Sequence, residues 1–197
     1  MTTVAGLYDN IQDAYQALYD LVGHGFAQRD LSIIANDSTG EYADWLGQTE
    51  LIAPETSNKV AMVSGIASLL HRVGAAVIPG VGEVLVGGTL FGLVGAGIVG
   101  TLVNYGVSKH TAGYFAEALR RGGTLVLVNA DDKMVERASQ LIDRHGPVDF
   151  ARRVARWKSG GWTRFNPGAQ PYLPEQIDKL RDADQSANDR INAAQVG

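Results

Sequence analysis

Four histidines, two adjacent aspartates and a crowd of glycines are the residues of this 197-residue chain whose types and spacing could support chemistry. His24-Gly25 and His145-Gly146 each stand where a helical pattern meets glycine, and an imidazolium at a helix C-terminus interacts favourably with the helix dipole. His71 and His110 have no histidine or carboxylate at ligand spacing, so the pattern argues against a metal site. Asp131-Asp132 could serve as paired carboxylates, but adjacent acids are also what capping and the dipole favour at a helix start. Gly80-Val81-Gly82 matches part of a G-x-G pattern, yet no G-x-G-x-x-G follows a strand and no Walker lysine is present, which argues against nucleotide binding. With no cysteine in the chain there is no thiol nucleophile, disulfide or thiolate-bound metal. The expectation is a non-enzyme with no cofactor and no identifiable small-molecule substrate.

Two other patterns carry more. Gly88, Gly92, Ala96 and Gly100 recur at a strict four-residue interval. On a helix that interval lines small residues along one groove where a second backbone can approach closely. Each glycine costs an isolated helix about 1 kcal/mol relative to alanine, so such a helix forms only if packing compensates, and these four positions are the expected assembly contacts. The stretch Arg152–Arg164 holds Arg152, Arg153, Arg156, Lys158 and Arg164, no acid, and Trp157 and Trp162 interleaved. Arginine with tryptophan suits an anionic lipid surface or an acidic protein partner; the plainer reading is a tail docked across the domain or a neighbouring subunit. Arg152, Arg153, Arg156, Trp157 and Trp162 are the expected tail contacts.

The elements that must position these residues follow from periodicity and punctuation. Thr2–Tyr8 reads as a strand, Ile11, Ala14, Tyr15, Leu18, Leu21 and Val22 as the apolar face of a helix, and Leu31–Ala35 as a second strand. The same grammar returns in Thr124–Val128, a helix after Asp131-Asp132, and Pro147–Val154 as the last strand. Two β-α-β units are the parts of an α+β, ferredoxin-like split β-α-β sandwich. It is interrupted by a glycine-rich helical hairpin and followed by a polar C-terminal tail. The implied parts are residues 1–36, first β-α-β unit; 37–57, polar linker; 58–107, helical hairpin turning at Pro79-Gly80-Val81-Gly82; 108–154, return helix and second unit; and 155–197, tail. Glu175–Val196 could form a helix whose thin apolar stripe (Ile177, Leu180, Ala183, Ala187, Ile191, Ala194) needs a partner surface.

Composition bounds the function classes. A net charge of −4 gives no reason to expect nucleic-acid binding. The first residues show no basic segment followed by an apolar core, so a cytoplasmic protein without a signal peptide is expected. Val84–Val103 is twenty uncharged residues, about 30 Å as a helix and long enough to cross hydrocarbon. Membrane association through the hairpin is therefore the alternative to a soluble homo-oligomer. A small-molecule-binding ferredoxin-like domain is the third reading.

The turn Ile78-Pro79-Gly80-Val81-Gly82 and the run Gly113-Tyr114-Phe115-Ala116-Glu117-Ala118-Leu119-Arg120-Arg121-Gly122-Gly123, leading into Leu125–Val128 and closing at Arg144-His145-Gly146, resemble the bacterial general stress protein family of heat-induced and low-temperature-induced proteins. The similarity spans approximately residues 3–150. It implies a stress-response role and supplies no catalytic residue to carry over. The tail and the linker depart from the family's compact pattern. The combined expectation is a self-assembling stress-response protein whose small-residue hairpin packs between copies.

Overall fold

The computed structural model describes residues 1–40, 42, 73–94 and 97–195. Strand β1 (Thr2–Tyr8) leads into helix α1 (Ile11–Gly23), whose N-cap Asn10 accepts a hydrogen bond from the Asp13 amide at 2.8 Å. Strand β2 (Leu31–Asn36) follows. A hairpin of β3 (Gly74–Ile78) and β4 (Gly82–Gly88) comes next. Helices α2 (Ile98–Asn104) and α3 (Lys109–Arg120) lead to β5 (Thr124–Ala130), then α4 (Val135–Asp143), α5 (Phe150–Ser159) and α6 (Pro174–Gln195). The sheet has five strands in the order β1-β5-β2-β4-β3, every neighbouring pair antiparallel. The chain is thus mixed α/β, and β5 lies between the two strands that α1 joins.

Both faces of the sheet are covered. Leu31, Ile33, Ala35, Val126 and Val128 pack under α1 and α4 through Leu18, Leu21, Leu141 and Ile142. Ile34, Val84, Val86, Leu125 and Leu127 pack on the other face against α2 and α3 through Ile98, Leu102, Phe115 and Leu119. A strand buried on both faces reads as an unbroken apolar run, and Leu125-Val126-Leu127-Val128, all fully buried, is one. Each such leucine contributes about 1.5–3 kcal/mol by leaving water.

The sandwich expected from sequence, with four strands and helices on one face, is therefore corrected to five strands with helices on both. The expected helical hairpin over 58–107 is corrected as well. Residues 58–72 lie outside the described residues, but Gly74–Ile78 and Gly82–Gly88 are strands, joined at the Pro79-Gly80-Val81 turn by a Val81 amide to Ile78 carbonyl bond of 3.0 Å. A short apolar run bounded by turn residues has no period of its own, so Val84-Leu85-Val86 fits a buried strand as well as a helix. The membrane span read over Val84–Val103 is interrupted in the same way, by β4, a series of turns and the start of α2. Among the described residues no helix is long and apolar enough to cross a membrane.

The strand expected over Pro147–Val154 is reduced to one backbone bond, from the Val148 amide to the Leu7 carbonyl at 2.7 Å along the outer edge of β1. Asp149 then caps α5 by accepting from the Arg152 amide at 3.0 Å. A helix wins there because Arg153, Arg156 and Trp157, at spacings of three and four, share one face, and that face is the buried one.

Candidate functional site

Among the described residues, buried charge is concentrated where α3, the end of β1, α5 and α6 meet. Glu117 on α3 is fully buried. Its Oε1 accepts from Arg121 Nε at 2.7 Å and lies 3.7 Å from Arg120 Nη1. Arg120 continues outward, donating to the Gln170 carbonyl at 2.9 Å and lying 4.1 Å over the Tyr172 ring. Arg121 lies over the ring of Trp157, 4.9 Å from its centroid.

Arg153 is the centre of the cluster and is 4 % exposed. Both of its terminal nitrogens donate to the Asp9 carboxylate, Nη2 to Oδ2 at 2.8 Å. Its Nε stands 3.6 Å from Asp184 Oδ2, while Arg156 Nη2 reaches Asp184 Oδ1 at 2.9 Å. Burial pushes the Arg153 guanidinium down, but the hydrogen bond and charge of Asp9, with Asp184 behind them, outweigh burial and hold it above its ordinary value. The group is a fixed cation. Asp9 and Asp184 come from opposite ends of the chain, so this pairing ties α6 to β1 through α5.

Among the described side chains of α6, Ile177 makes the buried apolar contact and several polar contacts accompany it. Ile177 is fully buried against the α3–β5 turn, where a Cβ on Gly122 would lie 2.5 Å from its Cγ2. Arg181 donates to the Gly122 carbonyl from Nε at 3.1 Å and from Nη2 at 2.9 Å, and to the Tyr42 hydroxyl at 2.8 Å. Between these groups is a void of about 10 Å³ lined by Asp9, Arg121, Arg153, Trp157, Arg181 and Asp184 among others, room for one water molecule.

The expected tail contacts are thus partly drawn together. Arg153, Arg156 and Trp157 enter this cluster. Arg152 stays at the surface beside Asp149, 3.7 Å away. Trp162 is half-buried, with its ring centroid 5.9 Å from that of Trp157 and 5.6 Å from that of Tyr114. Arg153, Arg156 and both tryptophans pack toward the domain, whereas Arg152 and Arg164 are exposed. Asp9, Glu117, Arg121, Arg181 and Asp184 were not singled out from sequence. The signal that would have found them is the absence of acid in Arg152–Arg164: a buried basic helix face must draw its carboxylates from other elements.

The expected assembly contacts are dispersed. Gly88 ends β4 at φ +82°, and a Cβ there would lie 2.1 Å from the Leu31 carbonyl oxygen; strand pairing, not helix packing, demands that glycine. Gly92 lies in the following turn at φ +86°, and Gly100 is inside α2 with open space beside it. Ala96 lies outside the described residues. The four positions do not share one helix, and the groove expected of them is not formed.

The remaining candidates have structural partners. His24 Nδ1 lies 2.7 Å from the Asp20 carbonyl oxygen and His145 Nε2 lies 2.9 Å from Asp20 Oδ2, which ties the ends of α1 and α4 together. His110 Nε2 lies 2.6 Å from the Tyr114 hydroxyl one turn away, and His71 lies outside the described residues. Among the described residues no histidine or carboxylate group of three or more is arranged to hold a metal. Asp131-Asp132 does not cap α4: no side chain caps that helix, and Asp132 Oδ1 instead accepts from the Thr2 hydroxyl at 3.3 Å. Glu83 is exposed on β4 opposite Val77. No family model, curated protein or solved structure matches the chain.

Proposed function

We propose that this is a non-enzymatic, self-associating protein, and that copies join through the outer edge of β3 in place of the glycine groove first expected. The two ends of the sheet differ. At β1 the outer edge is engaged by the Val148 amide and flanked by α5. At β3, among the described residues, no strand pairs with the outer edge. The sequence of β3, Gly74-Ala75-Ala76-Val77-Ile78, carries no charge and no proline, the devices by which edge strands ordinarily resist pairing. The observation that carries the reading is the apolar exposure along that edge. Val77 is 69 % exposed on one face, and Phe91, stacked over Gly74 on the other, is 51 % exposed. An antiparallel pairing of β3 with β3 of a second copy is self-complementary and closes as a two-fold dimer.

The stress-response role belongs to the same proposal and rests on the residue resemblance. Its two most specific motifs are the β3–β4 turn and the end of α3, next to the open edge and beneath α6 respectively. A ferredoxin-like ancestry for the core is supported by β5 lying between β1 and β2 and by the Val148 bond along β1. On that reading the β3–β4 hairpin and α2 are additions that enlarge the sheet on one side.

The test is particle mass by light scattering on wild-type protein and on Val77→Lys. The wild type is expected at twice its 21.0 kDa chain mass or a higher multiple, and the variant at the monomer mass. A variant that keeps the wild-type mass removes β3 as the interface. A wild type that is monomeric at high concentration removes self-association itself.

A further inference from the structure

The cluster beneath α6 holds buried donors that the described residues leave unsatisfied. Arg153 Nε, Arg156 Nε and Trp157 Nε1 are all buried and have no hydrogen-bond partner among the described residues. They lie on one face of α5, at spacings of three and four. Arg153 and Trp157 are 4 % and 5 % exposed, and both line the one-water void. Buried donors are ordinarily satisfied, and a native group left without a partner calls for a physical reason.

Among the described side chains, the carboxylate that α6 presents to these donors is Asp184, 15 % exposed. It reaches Arg156 Nη2 at 2.9 Å but stands 3.6 Å from Arg153 Nε, beyond hydrogen-bond distance. Its carboxylate leaves Arg153 Nε, Arg156 Nε and Trp157 Nε1 unsatisfied. Asp9 is committed to the terminal nitrogens of Arg153, and Glu117 gives Oε1 to Arg121 while its buried Oε2 has no hydrogen-bond partner among the described residues. Arg181 adds a further cation on α6, bonded to the Gly122 carbonyl and the Tyr42 hydroxyl. A tetrahedral oxyanion in place of the Asp184 carboxylate would bring four acceptor oxygens to these donors where Asp184 brings two. Arginine forks suit such an anion.

We propose that the cleft between α3, α5 and α6 is a binding site for a phosphate-type oxyanion, and that Asp184 masks it in cis. Arg153, Arg156 and Trp157 donate to the anion, and α6 regulates access by presenting or withdrawing its carboxylate. A ligand that must displace Asp184 binds with an affinity reduced by the fraction of molecules in which the cleft is open.

The experiment uses the full chain as wild type and as Asp184→Ala, titrated with inorganic phosphate at constant ionic strength while the Trp157 indole N–H and the Arg153 Nε–H are followed by nitrogen-15 NMR. Saturable shifts of both signals in Asp184→Ala, with the wild type weaker by about tenfold or more, are the expected result. The absence of saturable shifts in a folded Asp184→Ala protein overturns the proposal. Equal shifts produced by chloride overturn it as well, since charge screening alone would then explain them. Equal affinity in wild type and variant overturns the masking role of Asp184. Should Asp184→Ala fail to fold, Asp184→Asn, of the same shape without the charge, is titrated instead. Should that variant fail too, recovery of native circular dichroism on adding phosphate but not chloride upholds the site, and no recovery overturns it.

Discussion

Tyr8 shows how one buried polar group sets a dependence on conditions. It is 1 % exposed, and its hydroxyl donates to the Ile142 carbonyl at 3.0 Å, joining β1 to the last turn of α4. Burial, then the nearby charges of Asp143 and Asp13, push its pKa well above the ordinary 10.0. Tyr15 moves the same way through burial and Tyr19. A tyrosine with a raised folded pKa holds its proton longer in the native state than in the unfolded chain. Its contribution to stability is therefore complete below about pH 10 and is lost as pH rises through the shifted value, at up to about 1.4 kcal/mol per pH unit. Urea unfolding of the wild type is expected to lose more stability between about pH 9 and about pH 11 than that of Tyr8→Phe. Near neutrality Tyr8→Phe costs about 1 kcal/mol for the lost hydrogen bond. Equal losses at high pH in both proteins would show that Tyr8 does not carry the effect. The residue scale was unevenly legible in the sequence. The place of His24 at a helix end follows from its neighbour Gly25, whereas the role of Asp132 does not follow from its neighbours, because its partner Thr2 is 130 positions away.

Among the elements, α5 and α6 depend on each other. Among the described side chains, helix α6 buries Ile177 and bonds through Arg181 and Asp184, while α5 buries Arg153 between Asp9 and Asp184. Breaking a buried ion pair from one side leaves a charge without compensation, at a cost of about 3–5 kcal/mol. Arg153→Ala is expected to lose stability on that scale in urea unfolding. The double replacement Asp9→Leu with Arg153→Met is expected to recover much of it, because a well-packed apolar pair can match a buried ionic one. An Arg153→Ala protein within about 1 kcal/mol of wild type, the range of surface pairs, would mean that the cluster behaves as solvent-exposed charge. The start of α5 was legible in principle, since Asp149 stands before a run whose buried positions recur at helical spacing. The proximity of Pro147-Val148 to a strand-like pattern obscured it. The β3–β4 hairpin was obscured by glycine spacing: Gly88, Gly92 and Gly100 fall at helical intervals, but the turn conformations of Gly88 and Gly92 appear only once strand pairing is in place.

At the scale of the molecule, both sheet faces are occupied by helices, and the two sheet ends differ. The chain order of β1, α1, β2, α3, β5 and α4 was legible from apolar runs and their punctuation. The covering of both faces was encoded as well, in Leu125–Val128, a run with no alternation between apolar and polar residues. What the sequence could not disclose is which strand ends the sheet, because pairing order depends on contacts between distant segments. Among the described residues β3 ends the sheet, and the proposed self-association turns on that edge in place of the glycine groove. Hydrogen exchange of the β3 amides that do not bond to β4, measured by NMR across a wide range of protein concentration, tests this most directly. Protection that rises with concentration at those amides, and falls away on dilution together with particle mass, is the predicted result. Exchange at those amides that stays fast and independent of concentration while the protein self-associates would contradict it.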